Sequence, residues 1–143
     1  MDSKRLLGGI VGGLAGGVMF GALMHMMGMM GMIAGLVEQD SAGVGWAVHL
    51  AISTLFGVGY ALTLGGASRS WAHAVGLGAV YGVVWWVAGA LLIMPAYMGM
   101  SVFQIGQMQM QSLMGHLLYG LALGLVFQAF TQSSEQRHVA SHA

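Results

Sequence analysis

The chain has 143 residues, of which 57% are hydrophobic and 6% charged, with four basic side chains balancing four acidic ones and no cysteine. An ordinary soluble domain carries roughly a quarter charged residues, so too few ions are present to cover a water-facing surface, and lipid is the solvent this composition fits. The charge balance offers no footprint for nucleic acid, and the lack of cysteine removes disulfides, thiolate metal sites and cysteine nucleophiles.

The charged residues punctuate the chain: Asp2, Lys4 and Arg5, then Glu38 and Asp40, then Arg69, then Glu135 and Arg137. A membrane-spanning helix needs about 20 apolar residues. The first uncharged stretch predicts a helix over Leu6–Met30, with a continuation toward Val37. It is too long for a secretory signal core of about 7–15 residues and reads as a retained span. The next stretch predicts Val44–Leu64. The last is long enough for two spans, Trp71–Met94 and Leu113–Phe130, divided by Pro95 and the Gln-rich run Gln104–Gln111. Residues Phe103–Ser112 fit a loop, an interfacial helix or a re-entrant segment equally well. The expected fold is all-α, a single four-transmembrane-helix bundle over 1–130. A polar tail, 131–143, follows, and a chain end of this composition is expected to be disordered.

Basic residues favour cytoplasmic loops. With four spans, Lys4, Arg5, Arg69 and Arg137 fall on one side, whereas Glu38 and Asp40 fall on the other. The expected location is a bacterial inner (cytoplasmic) membrane with both termini in the cytoplasm. Trp46 and Trp71 lie near span ends, where indole rings prefer the interface.

The two halves resemble each other. His49-Leu50 precedes Gly57 at the spacing with which His116-Leu117 precedes Gly124, and Gly13, Gly17 and Val18 align with Gly78, Gly82 and Val83. This pattern suggests a tandem repeat of two helical hairpins related by a pseudo-two-fold axis along the membrane normal; chance likeness between Gly-rich apolar helices is the plainer explanation. Gly9, Gly13, Gly17 and Gly21 recur every four residues, and Gly78, Gly82, Gly120 and Gly124 repeat the motif in the second half. Lipid exerts no hydrophobic push between helices, so close backbone approach over small residues must supply the contact. A phosphate loop would need a following Lys-Ser/Thr, which these glycines lack. The contacts could lie within the chain, in a homo-oligomer or against a larger membrane complex.

His49 and His116 begin the second and fourth spans, and His25 lies in the same half of the first. Polar side chains inside a span usually face the bundle interior, and Ser53 continues the ridge from His49. Twelve of the 14 methionines, Met29 among them, map to this half or its loops. Imidazole and thioether are ligands for Cu(I) and axial ligands for haem iron. His25, His49, His116 and Met29 are thus candidate metal ligands, with copper or haem b as candidate cofactors. The plainer reading is packing histidines among methionines that fill apolar gaps. No carboxylate or permanent cation lies inside a span, which argues against a proton relay or a hydrolase; a non-enzymatic protein is expected.

Several stretches resemble an uncharacterised family of small bacterial four-helix integral membrane proteins, a domain of unknown function. They are Met24–Met32, Gly45–His49, Trp85-Trp86 with Met94-Pro95, and His116–Gly120 with Gly124. In that pattern His25 stands where an apolar residue is expected. The resemblance implies a four-helix membrane fold and brings no catalytic residues. The resulting expectation is a His/Met-lined pocket formed by His49, His116, His25, Ser53 and Tyr119 near the periplasmic face. The alternatives are an accessory or assembly subunit packing through its glycines, and an oligomeric pore or permease for a neutral solute.

Overall fold

The computed structural model describes residues 3–140, with side chains described as far as residue 132. The described residues are mainly helical and contain no strand. Helix α1 spans Ser3–Met26. It ends where Gly28 adopts φ 70°, while the Met29 amide donates back to the Met24 carbonyl at 2.9 Å. A left-handed glycine just past the last turn is the usual helix stop. The first span is therefore shorter than Leu6–Met30 and does not continue to Val37. The chain instead folds back through α2 (Met30–Ala34) and a 3-10 turn over Gly35–Val37.

Helix α3 spans Ala42–Thr63 and is capped by the Ser41 hydroxyl, which accepts from the Val44 amide at 3.2 Å. Helix α4 spans Trp71–Trp85, capped in the same manner by Ser70. It runs on as a π-helical segment, Trp86–Ile93, into the short α5, Met94–Tyr97. Pro95 does not end this span, contrary to the sequence expectation. Proline has no amide proton to give to the carbonyl four residues earlier, and that carbonyl, Leu91 O, accepts instead from the Phe103 amide at 2.8 Å. The connecting loop thus closes the hydrogen-bond gap that Pro95 opens. Helix α6 spans Gln107–Ala140. From Gln107 onward the Gln-rich run forms its first turns, while Gln104 lies in the preceding loop. The backbone is helical from residue 131, where the sequence predicts the start of a disordered tail, to Ala140; the side chains of that tail beyond residue 132 lie outside the described residues.

Among the described residues, four helical stretches are long and apolar enough to cross a membrane: Ser3–Met26, Ala42–Thr63, Trp71–Tyr97 and Gln107–Gln132. Their order in space is α3, α1, α6, α4. Helix α1 carries two small-residue stripes. Gly9, Gly13, Gly17 and Gly21 lie against α3, while Gly8, Gly12 and Gly16 lie against α6. A methyl group at Gly13 would stand 2.6 Å from the Ser53 carbonyl oxygen, and one at Gly12 would stand 2.9 Å from that of Leu123. Helix α6 meets α4 through Gly120 and Gly124 against Gly78, Gly82 and Ala74. The glycine ladder is thus occupied by contacts within the chain. The apolar faces left outside, such as Leu7, Val11, Leu14 and Val18 of α1, suit lipid.

The packing repeats between the halves. Gly57 abuts Gly9 and Gly13 as Gly124 abuts Ala74 and Gly78, and Gly13 faces Ser53 as Gly78 faces Gly120. One constant shift in numbering relates the first helices of the two hairpins, and another relates the second helices. The symmetry stops at the assembly of the hairpins. A closed ring would need an α3–α4 seam equivalent to the α1–α6 seam, but α3 and α4 have almost no backbone approach. They touch through side chains: Phe56 stacks on Trp85 at 3.6 Å and 12°, and the Tyr81 hydroxyl donates to the Phe56 carbonyl at 2.7 Å.

Candidate functional site

The missing seam leaves a cavity of about 390 Å³ between α3 and the α4–π span, backed by α1 and α6. Small-molecule sites typically occupy roughly 300–1,000 Å³. Helix α3 contributes His49, Ile52, Ser53 and Phe56; α6 contributes Ser112, His116 and Tyr119; α1 contributes Phe20 and Met24. The π segment and its flanks supply Trp85, Gly89, Ala90, Ile93 and Met94. Met29, Met32, Ile33 and Leu36, from the connection between α1 and α3, lie at the end of the bundle opposite Arg5 and Arg69. There the Tyr97 hydroxyl donates to the Leu36 carbonyl at 3.2 Å, joining the end of the α4–π span to this cap.

The opposite end is filled. Tyr60, Tyr81 and Phe127 are buried and meet edge to face at 5.3 Å and 5.4 Å. These rings close the cavity toward Arg69.

Hydrogen bonds define the state of both cavity histidines. A carbonyl oxygen can only accept, so the ring nitrogen facing it carries the proton. His49 Nε2 donates to the Gly17 carbonyl at 2.9 Å, leaving the lone pair of the neutral ring on Nδ1. His116 Nδ1 donates to the Ser112 carbonyl, one helical turn back, at 2.8 Å, leaving the lone pair on Nε2. Phe20 lies edge-on to both rings, with centroids 5.4 Å from His49 and 4.8 Å from His116. Tyr119 donates to the Ser53 carbonyl at 2.6 Å, linking α6 to α3 across the back of the cavity.

Of the pocket residues proposed from the sequence, His49, His116, Ser53 and Tyr119 line the cavity, and so does Met29. His25 does not. It is exposed, and its Nδ1 accepts from the Trp46 indole at 3.4 Å. The Trp46 ring fills the space over Gly21 and lies between His25 and His49, with centroids 6.2 Å and 6.3 Å away. Three imidazoles therefore do not converge, and no group of three His, Asp or Glu side chains suited to a metal occurs among the described residues. The methionines divide likewise: Met24, Met29, Met32 and Met94 border the cavity, whereas Met26, Met100, Met108 and Met114 face outward. A soft metal would find two imidazole nitrogens and these thioethers. Haem b fits less well, since no Lys or Arg borders the cavity to meet its propionates.

Sequence reasoning missed Phe20, Phe56, Trp85 and the π segment. The repeat held a signal for one of them: the numbering shift that matches Gly13 to Gly78 also matches Phe20 to Trp85.

Compared with known proteins, the chain matches no family model, no curated protein and no solved structure. The family likeness rests on the sequence motifs alone, and function must be argued from the cavity.

Proposed function

We propose that this protein is a non-enzymatic membrane binding protein that holds a small uncharged ligand in the cavity between α3 and the π segment. One observation carries the reading. His49 and His116, on different helices, each commit one ring nitrogen to a backbone carbonyl and keep the other as an acceptor beside a cavity of about 390 Å³. Apolar walls exclude water, and acceptors placed on rigid helices orient a ligand through its donors. No Asp, Glu, Lys or Arg side chain borders the cavity, which disfavours a charged ligand.

The positive-inside tendency supports a bacterial inner-membrane orientation with the Arg5 and Arg69 end cytoplasmic, so the cavity faces the periplasmic half of the bilayer. A second reading, Cu(I) in place of an uncharged ligand, has the soft donor set in its favour, with His49, His116, Met24 and Met29 as its ligands. The other two functions weaken. The buried aromatic plug opposes passage through one chain, and a larger complex would have to dock on lipid-facing Val and Leu rather than on the glycine ladder.

The test is native mass spectrometry of protein extracted from its membrane, together with Cu(I) titration of the purified chain. Wild type should retain an adduct or take up Cu(I), and His49→Ala with His116→Ala should abolish either. A wild type that carries no adduct and binds no Cu(I) overturns the reading, as does a double variant that binds like wild type.

A further inference from the structure

We infer that the cavity admits its ligand sideways from the lipid, between α3 and the π segment, and that this ligand is a membrane-dissolved amphiphile with a hydroxyl head and a hydrocarbon tail. The inference rests on the cavity being a binding site, and adds the route and the chemical class.

The route follows from what covers each side. Toward the loops, the α1–α3 connection lies over the cavity and is tied to the α4–π span by the Tyr97–Leu36 hydrogen bond. Toward Arg69, the aromatic plug fills the bundle. At the back, α1 and α6 pack glycine against backbone. Only the α3–π side lacks a helix seam, and its wall is one side chain thick: Ile93 borders the cavity and is also 57% exposed on the outer face. Beside it, a side chain begun at Gly89 would meet nothing within 4 Å. A π segment widens a helix locally and often marks a functional site. Here Gly89, within the segment, carries no side chain into that space.

The chemical class follows from the lining. Nδ1 of His49 and Nε2 of His116 accept and cannot donate in the neutral rings, so a ligand that bonds them brings O–H or N–H, and the unpartnered indole N–H of Trp85 can donate to the oxygen of such a head. The lack of Asp, Glu, Lys or Arg in the lining disfavours an ammonium or carboxylate head. Met24, Met94 and Leu36 offer a tail only apolar contact. A hydroxyl head on a hydrocarbon chain meets each demand and partitions into the bilayer beside the opening.

The experiment uses the full chain in vesicles of phosphatidylethanolamine and phosphatidylglycerol, with a long-chain alcohol carrying a photoreactive diazirine in its tail. Light should attach the probe to α3 and the π segment. Unlabelled alcohol should compete, and its methyl ether, which has no donor, should compete about tenfold more weakly, the equivalent of one lost hydrogen bond of about 1.4 kcal/mol. Gly89→Leu should cut labelling by about tenfold or more while thermal stability holds, because its side chain grows into open space. Equal labelling of a stable Gly89→Leu overturns the lateral route, and equal competition by the ether overturns the hydroxyl class. A wild type that binds Cu(I) or keeps its native adduct but ignores the alcohol sinks this inference and leaves the site standing. Labelling indifferent to His49→Ala and His116→Ala sinks both.

Discussion

His49 reaches across a helix boundary to Gly17, Nε2 to carbonyl oxygen at 2.9 Å. His116, its counterpart in the repeat, bonds only to its own helix at Ser112. Two histidines that look equivalent in the sequence therefore differ in what they hold together.

Replacing them should separate stability from binding. His49→Leu removes an inter-helix hydrogen bond, a contact of about 0.6 kcal/mol on average between membrane helices, and should lower the detergent melting temperature. His116→Leu should melt close to wild type. Both should lose ligand or Cu(I) uptake, and equal melting losses would contradict the assignment.

Gly13→Leu drives a side chain into the Ser53 carbonyl and should destabilise the bundle by at least about 1–3 kcal/mol, the usual cost of overpacking. Gly78→Leu should do the same at the α4–α6 contact. Gly76→Leu is the control, since nothing lies within 4 Å of its added Cβ. Size-exclusion profiles after heating distinguish the three.

Tyr119→Phe deletes the donor to the Ser53 carbonyl. Ser53 sits within helix α3 and its carbonyl retains its backbone partner, so the loss should stay within about 0.5–1.5 kcal/mol. Thermal unfolding in detergent measures it.

Pro95→Ala restores an amide that can bond to Leu91 O, in competition with Phe103. The π segment should relax toward α-helix, and hydrogen exchange at the Phe103 amide should quicken. Unchanged protection at Phe103 would show that Pro95 does not hold the widened turn in place.

The cysteine-free chain permits single-cysteine topology mapping. Gln39→Cys should react with a membrane-impermeant maleimide in intact cells, and Ala67→Cys should react only after lysis. The reverse pattern would invert the orientation.

The spans were legible because charge marks their ends, and the glycine contacts because small residues at four-residue spacing have few other uses in lipid. His49, Ser53, His116 and Tyr119 were legible because polar groups in a span turn inward. His25 was misplaced for a geometric reason. Four-residue steps drift by about 40° each around a helix, and α1 ends one residue later, so the series that began at Gly9 leaves the buried face. The bulk of Trp46 completes the displacement, and nothing local to His25 announces it. The π segment was illegible too, because the bond between Leu91 and Phe103 that accompanies it crosses a turn that spacing rules do not describe.

The two hairpins are joined along α1 and α6 and left unjoined along α3 and α4, like covers on a spine. Rotation about that spine alters the gap at the free edge while every glycine contact stays in register. Breathing of the free edge thus leaves the helix seams intact, and what resists it is the Phe56–Trp85 stack together with the hydrogen bonds that cross between the hairpins from Tyr81, Tyr97 and Tyr119.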